Sequence, residues 1–343
     1  MSRSDNLDAI VAASLGTRYS AAVVRVERAG RAVYERAAGR TRADSGVPVA
    51  VDTRFDLASI TKVFVASVAL DRVARGLLAL DEPLDALVPE WRGTAHAPIT
   101  LRQMLAHTAG FRSGADYRAL FGENVEAFAL RTPLVDAPGA RVIYSDIGFL
   151  ALGVVLARSN GRALRTTVET SVRALGACGV GYRTRPSREA IPATERDAWR
   201  GLVEGAVHDE KAALAGGVAG HAGLFGDARA VARLAEWYLA PRFGRSSPLP
   251  AALALAATSE AAPDDILRRG LGWALKTSDD NSCGAAMSRA SFGHTGFTGT
   301  CVWADPERDL SITILTNAVH FGRHDLRDVR AAICDAAVEA YAR

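Results

Sequence analysis

Phe55-Asp56-Leu57-Ala58-Ser59-Ile60-Thr61-Lys62 leads directly into an apolar run carrying Val63, Phe64, Val65, Val68, Leu70 and Val73. The run is apolar nearly all round, which predicts a buried helix rather than a surface one. Ser59 falls in its first turn, and Lys62 lies one turn further along the same face. A serine at a helix N-terminus sits in a field that favours negative charge. Its hydroxyl is a weak nucleophile unless a neighbouring base takes the proton. A desolvated lysine can be that base, whereas arginine stays protonated. The same pair also fits a capping serine beside a lysine that snorkels to water.

Lysine is scarce in this chain. Of 41 basic residues, only Lys62, Lys211 and Lys276 are lysine. Lys62 is expected to serve chemistry that arginine cannot, and no such role is expected of Lys211 or Lys276. The 343 residues are 49% hydrophobic and 23% charged, with a net charge of +3, which excludes disordered, collagen-like and low-complexity classes. The length fits one large domain or two interleaved ones. Charges are interspersed, so no nucleic-acid partner is expected. The longest apolar stretches fall short of a membrane span of ~20 residues, so no membrane partner is expected either. The N-terminus has no apolar leader, which points to a cytoplasmic protein or a trimmed chain.

Cys178, Cys283, Cys301 and Cys334 are scattered, so free thiols are expected rather than a disulfide framework or zinc knuckle. His320 and His324 stand four apart but share their segment with Gly322, and no metal site is assigned to them. No cofactor is expected, and the sequence carries no reading of oligomeric state.

The two ends of the chain read as strands. Residues 20–28 and 31–38 form a hairpin about Ala29-Gly30. Residues 299–305 and 310–317 form a second, with Pro306 starting its turn. Asp325 is placed to cap a final amphipathic helix whose apolar positions are Leu326, Val329, Ile333, Ala336, Ala337 and Ala340. From about 99 to 257 the pattern is helical, with starts after Thr100, near Ile147, after Asp227 and around Ala251. The expected fold class is α+β: an antiparallel sheet built from both termini, flanked by helices, with a mostly helical domain inserted. The expected division is 1–95 with 265–343 as the sheet domain and 96–264 as the insertion, with the active site between them.

Two further segments carry chemistry. Pro138-Gly139 marks a turn, and Tyr144-Ser145-Asp146 follows at the entry to a helix. A tyrosine there can serve a serine hydroxyl as acid, base or hydrogen-bond partner, or be a half-buried core residue. Gly293-His294-Thr295-Gly296-Phe297-Thr298-Gly299 stands at the entry to a C-terminal strand. Its glycines permit close approach of a ligand, and backbone N–H groups there can serve an oxyanion; an ordinary glycine-rich bend has the same appearance.

In this order the three segments resemble the Ser-x-x-Lys, Tyr-x-Asn and Lys-Thr-Gly motifs of the penicillin-recognising serine hydrolases, nearest to class C β-lactamases, D-peptidases and related esterases. Residues 76–83, 105–110 and 270–273 agree, and the likeness runs from about residue 20 to 320. The resemblance implies a β-lactamase/transpeptidase-like fold. It implies that Ser59 is acylated, that Lys62 and Tyr144 share its proton transfers, and that the N–H groups of Ser59 and Phe297 form an oxyanion hole beside Thr295 and Gly296.

Two positions depart from the pattern. Asp146 replaces the usual asparagine, and an ionised carboxylate there makes Lys62 a poorer resting base unless it is protonated or turned away. His294 replaces lysine and offers less fixed positive charge for a substrate carboxylate. His107 reads as structural. The stretch Gly216–Gly223 is expected to shape the rim of the cleft, and with Val207-His208-Asp209-Glu210 it resembles a branch of muropeptide amidases. The expected activity is metal-independent hydrolysis of a small ester or amide through an acyl-serine. Alternatives are an acyltransferase, a β-lactamase, a D-aminopeptidase or muropeptide amidase, and a non-catalytic acylated sensor.

Overall fold

The computed structural model describes residues 4–183, 190–262 and 268–342. The expected domain boundary at 264/265 lies outside the described residues. Strand Ala21–Arg28 turns through Ala29 and Gly30, both at positive φ, into strand Arg31–Gly39. Two such residues give the tight turn whose twist matches a hairpin. Strand Cys301–Asp305 returns through Pro306 to Leu310–Thr316. The two hairpins join in register, Val23 opposite Leu315 and Val26 opposite Ile312. Strands Phe292–Thr295 and Ala274–Leu275 complete a six-stranded antiparallel sheet. Both chain ends therefore build one sheet, as the sequence predicts.

Alternation along these strands feeds two cores. Ala21, Val23, Val302, Ala304 and Leu315 face the larger one, beneath helices Ile60–Ala74 and Ala228–Leu239. Ala22, Val24, Val26, Trp303, Ile312 and Ile314 face the other, under the terminal helices Asp5–Ala13 and Arg327–Tyr341. A sheet covered on both sides needs apolar residues at successive positions, which explains the near-continuous burial of Ala21–Val26. All six expected apolar positions are buried, Leu326 as the residue just before the C-terminal helix and the other five on it. The helix begins at Arg327 rather than beside Asp325, whose carboxylate instead accepts the Arg327 N–H at 2.9 Å. The N-terminal helix had no counterpart in the sequence reading.

The middle of the chain holds helices at 101–105, 125–131, 146–160, 164–174, 210–214, 228–239 and 251–257. It also holds short strands the helical pattern did not reveal. One of them, Leu224–Gly226, pairs with Phe55–Asp56 and with Gly181–Tyr182. That small sheet fixes the segment just before Ser59 against the end of the glycine-rich stretch. Gly220 lies so close to the helix Asp146–Asn160 that a Cβ there would stand 2.0 Å from the Phe149 carbonyl oxygen. Only glycine lets the stretch reach its place.

His320 receives the Ala43 N–H, and His324 hydrogen-bonds to the Phe321 carbonyl, so they do not form a common site. The four cysteines are free. No single helix among the described residues is long and apolar enough to cross a membrane.

Gly220→Ala is expected to destabilise the fold by about 2 kcal/mol or more, because the backbone opposite has to move. Gly114, with open space around its Cα, is the control. Denaturant unfolding of the two alanine variants checks this, and equal stabilities would contradict it.

Candidate active site

Ser59 precedes the helix Ile60–Ala74 but does not cap it: its side chain makes no cap bond and its backbone is already αR. Its hydroxyl oxygen instead accepts from Lys62 Nζ at 2.9 Å. Lys62 is fully buried. It has two further acceptors, Asp146 Oδ1 at 2.9 Å and the His221 carbonyl at 3.3 Å. With Tyr144 also in side-chain hydrogen-bond contact, these acceptors satisfy all three N–H bonds of an ammonium. Burial opposes that charge, but Asp146 and Tyr144 outweigh it and raise Lys62 above the ordinary lysine value. The snorkelling lysine is thereby ruled out.

The residue before Ser59 is strained. Ala58 has φ +45°, a conformation that costs a non-glycine residue energy and needs support. The buried Asp56 supplies it, accepting the Ala58 N–H at 2.8 Å and the His208 N–H at 2.6 Å. Thr298 and Thr300 then donate to the Asp56 and Leu57 carbonyls. The loop 296–300 is thus tied to the backbone of 56–58. A Cβ on Gly296 would stand 2.0 Å from Thr300 Oγ1 and 2.6 Å from the Leu57 carbonyl, so glycine is needed for this approach. Arg330, on the C-terminal helix, holds the loop from the far side through the carbonyls of Gly296 (2.9 Å), Thr300 (3.3 Å) and Gly299 (3.4 Å). The N–H groups of Ser59 and Phe297 have no hydrogen-bond partner among the described residues. Unpaired backbone donors beside a hydroxyl are what an oxyanion requires.

Tyr144 and Asp146 arrive on a clamped turn. Ser145 caps the helix Asp146–Asn160 by accepting the Gly148 N–H, and its own N–H donates to His107 Nδ1 at 3.1 Å. His107 is buried at φ +60° and packs 4.7 Å from the Tyr144 ring, a supporting role as expected. Lys62 Nζ lies 4.8 Å from the Tyr144 ring centre, and the Arg269 guanidinium lies 5.0 Å from it. Asp146 opens its helix, where the dipole favours a carboxylate. Burial would raise its pKa, but Lys62 beside it brings it down to about 2. It is neither protonated nor turned away, so the condition that makes Lys62 a poor resting base holds.

The two expectations for Lys211 and the glycine-rich stretch are corrected. Lys211 Nζ lies 3.3 Å from Asp146 Oδ2 and 3.0 Å from Asp209 Oδ2, inside the same network. Asp209 is only two residues away in the chain, but Asp146, the partner that brings Lys211 to the site, is distant in sequence. The glycine-rich stretch does not form the rim. It is largely buried behind Lys62, where it supplies the His221 carbonyl, and His221 Nε2 meets Asp209 Oδ1 at 2.8 Å. Asp146, Asp209 and His221 approach one another as a cation site would. Both carboxylates already bind ammonium groups, so the cluster is an ion-pair network. Lys276 is elsewhere, donating to the Ala285 and Met287 carbonyls.

A cleft of about 610 Å³ opens over Ser59, lined by Tyr144, Arg269 and the whole segment His294–Phe297. His294 is buried, with Nδ1 2.8 Å from the Thr295 carbonyl. A carbonyl only accepts, so Nδ1 carries the proton and Nε2 presents a lone pair. Nε2 has no partner among the described residues. Burial, then Arg269 and Lys62, lower the His294 pKa to about 3. The expected neutral imidazole therefore lines the same cleft as Ser59, with an acceptor nitrogen.

The Beta-lactamase family model matches residues 7–336. An Escherichia coli (strain K12) protein named "Putative D-alanyl-D-alanine carboxypeptidase" is 28% identical over 93% of this chain and 83% of its own length. Two solved structures share the fold. EstCE1, a hydrolase with promiscuous acyltransferase activity, has TM-score 0.79 and 21% identity over 97% of this chain and 98% of its own. A penicillin-binding protein homologue from Caulobacter crescentus has TM-score 0.78 and 22% identity over 98% and 97%.

Nitrogen-15 NMR of His294 is expected to show a neutral ring protonated at Nδ1 from about pH 8 to about pH 5. Its folded pKa lies below the value of a free imidazole, so its stabilising contribution is lost as pH falls from about 6.5 towards 3. A titration near pH 6.5 would contradict this environment. With a family match across almost its whole length, the chain belongs to the beta-lactamase family and is a serine hydrolase of that superfamily.

Proposed function

We propose that the protein hydrolyses a small ester or amide through an acyl-enzyme on Ser59. The observation that carries this reading is the Ser59 hydroxyl. It is free of any capping role and is bonded at 2.9 Å to a buried lysine. Because Lys62 donates into that oxygen, the serine proton has to leave in another direction. Tyr144 is the group we assign to take it. The Lys62 and Arg269 cations lie 4.8 Å and 5.0 Å from its ring centre. The Lys62 ammonium stabilises the serine oxygen as its proton departs. The N–H groups of Ser59 and Phe297 then receive the carbonyl oxygen of the tetrahedral intermediate, whose collapse breaks the bond to the alcohol or amine as Tyr144 returns the proton to it. Water then attacks the acyl-serine, giving its proton to Tyr144, which passes it to the Ser59 oxygen as the acid leaves.

We further propose that the cleft separates the sheet domain, 1–95 with 265–343, from the insertion 96–264. The first supplies Ser59, Lys62 and the loop His294–Phe297. The second supplies Tyr144, Asp146 and the network behind them.

His294 bears on substrate class. A neutral acceptor suits an N–H or O–H on the substrate and does not bind a carboxylate. This favours esters and amides over β-lactams. The carboxypeptidase named among the relatives places D-amino-acid amides in the panel to be tried.

Fluorophosphonate is expected to add one adduct to the native protein and none to Ser59→Ala, read by intact mass. Ser59→Ala is expected to lose activity on short acyl esters by about a thousandfold or more. Retained turnover would overturn the nucleophile assignment. His294→Ala is expected to lower kcat/KM on esters, and the native enzyme to hydrolyse short esters faster than a cephalosporin. Unchanged ester kinetics, or the reverse preference, would overturn the reading of His294.

A further inference from the structure

Asp146 presents its two oxygens to two different ammonium groups, Oδ1 to Lys62 at 2.9 Å and Oδ2 to Lys211 at 3.3 Å. Lys211 is in turn held by Asp209, whose other oxygen accepts the Ala212 N–H and meets His221. The His221 carbonyl returns to Lys62. The result is a closed ring of ion pairs and hydrogen bonds behind Ser59.

We infer that Lys211 is a positioning residue: it shares the Asp146 carboxylate with Lys62, orients it, and cancels its charge as felt at Ser59. This rests on the assignment of Ser59 and Lys62 above. Asparagine at position 146 would add no charge, whereas aspartate adds one negative charge against Lys62. Lys211 adds the compensating positive charge on the opposite oxygen. The groups around the Lys62–Asp146 pair are Tyr144 from the 138–146 turn, His107 from the segment below it, Asp209 and Lys211 from the start of the 210–214 helix, and His221. From the sheet side they are Arg269 and His294. Glu210 is turned away, in an ion pair with Arg323. Among these groups, Lys211 is the one whose ammonium forms an ion pair with the far oxygen of Asp146, while His221 acts on the same carboxylate.

The three lysines make a direct test practical, since lysine-labelled protein gives few side-chain signals. In Asp146→Asn the Lys62 ammonium faces Lys211 with no carboxylate between them. Its titration midpoint by lysine-selective NMR is expected to lie about one pH unit or more below that in Asp146→Asn/Lys211→Met. Coincident midpoints would overturn the inference. If the methionine variant does not fold, Lys211→Gln serves.

The second readout is the pH dependence of fluorophosphonate labelling. Removing a cation raises the pKa of every group around it. The acid limb is therefore expected to move up by about one unit in Lys211→Met and to stay near the native position in Lys211→Arg. A rate lowered equally at every pH, with the limb unmoved, would mean a purely structural role and would also overturn the inference. The NMR comparison needs no reaction at Ser59. Absence of labelling in the native protein would refute the hydrolase reading, and the midpoints would still decide the role of Lys211.

Discussion

Lys62 donates three hydrogen bonds from a side chain with no access to solvent. The rest of the site follows from that constraint. A buried ammonium is costly unless each of its protons has an acceptor. The acceptors come from three places: a hydroxyl at the start of its own helix, a carboxylate at the start of another, and a carbonyl from the glycine-rich stretch. Each brings an element of the fold to a fixed position. Gly220 lets the stretch lie against the helix 146–160, and the small sheet around Leu224–Gly226 holds it to the strand before Ser59.

The charge state of Lys62 also shapes the chemistry. Asp146 answers the ammonium and keeps it charged, which leaves the Tyr144 ring in contact with two cations. On the other side the sheet supplies loop 296–300. It is braced by Thr298, Thr300 and Arg330 rather than by the reacting groups. Strain at Ala58 is borne by Asp56. The scaffold therefore absorbs the cost of the strained turn before Ser59 and of the unpaired N–H groups.

Much of this was legible in the sequence, and the reasons are local. Hairpins declare themselves through alternation and turn residues, as Ala29-Gly30 and Pro306 do. Ser59, Lys62, Tyr144 and His294 stand in short motifs whose internal spacing already sets their geometry. What was not legible depends on approach between distant segments. Nothing near Lys211 in the chain marks Asp146 as its partner. The Gly216–Gly223 stretch looks like a surface loop until Gly220 is seen against Phe149. The helix Asp5–Ala13 has only Leu7 and Val11 as buried anchors, too few for a periodic signal. Asp325 is a sound cap by type, yet the helix starts at Arg327 because Leu326 is drawn into the core.

The central claim is that the resting site holds Lys62 as an ammonium that donates to Ser59. Neutron diffraction from deuterium-exchanged crystals near pH 7 tests it most directly. Three deuterons on Lys62 Nζ are expected, directed at Ser59 Oγ, Asp146 Oδ1 and the His221 carbonyl. Two deuterons, with the Nζ lone pair accepting from the Ser59 hydroxyl, would contradict the account.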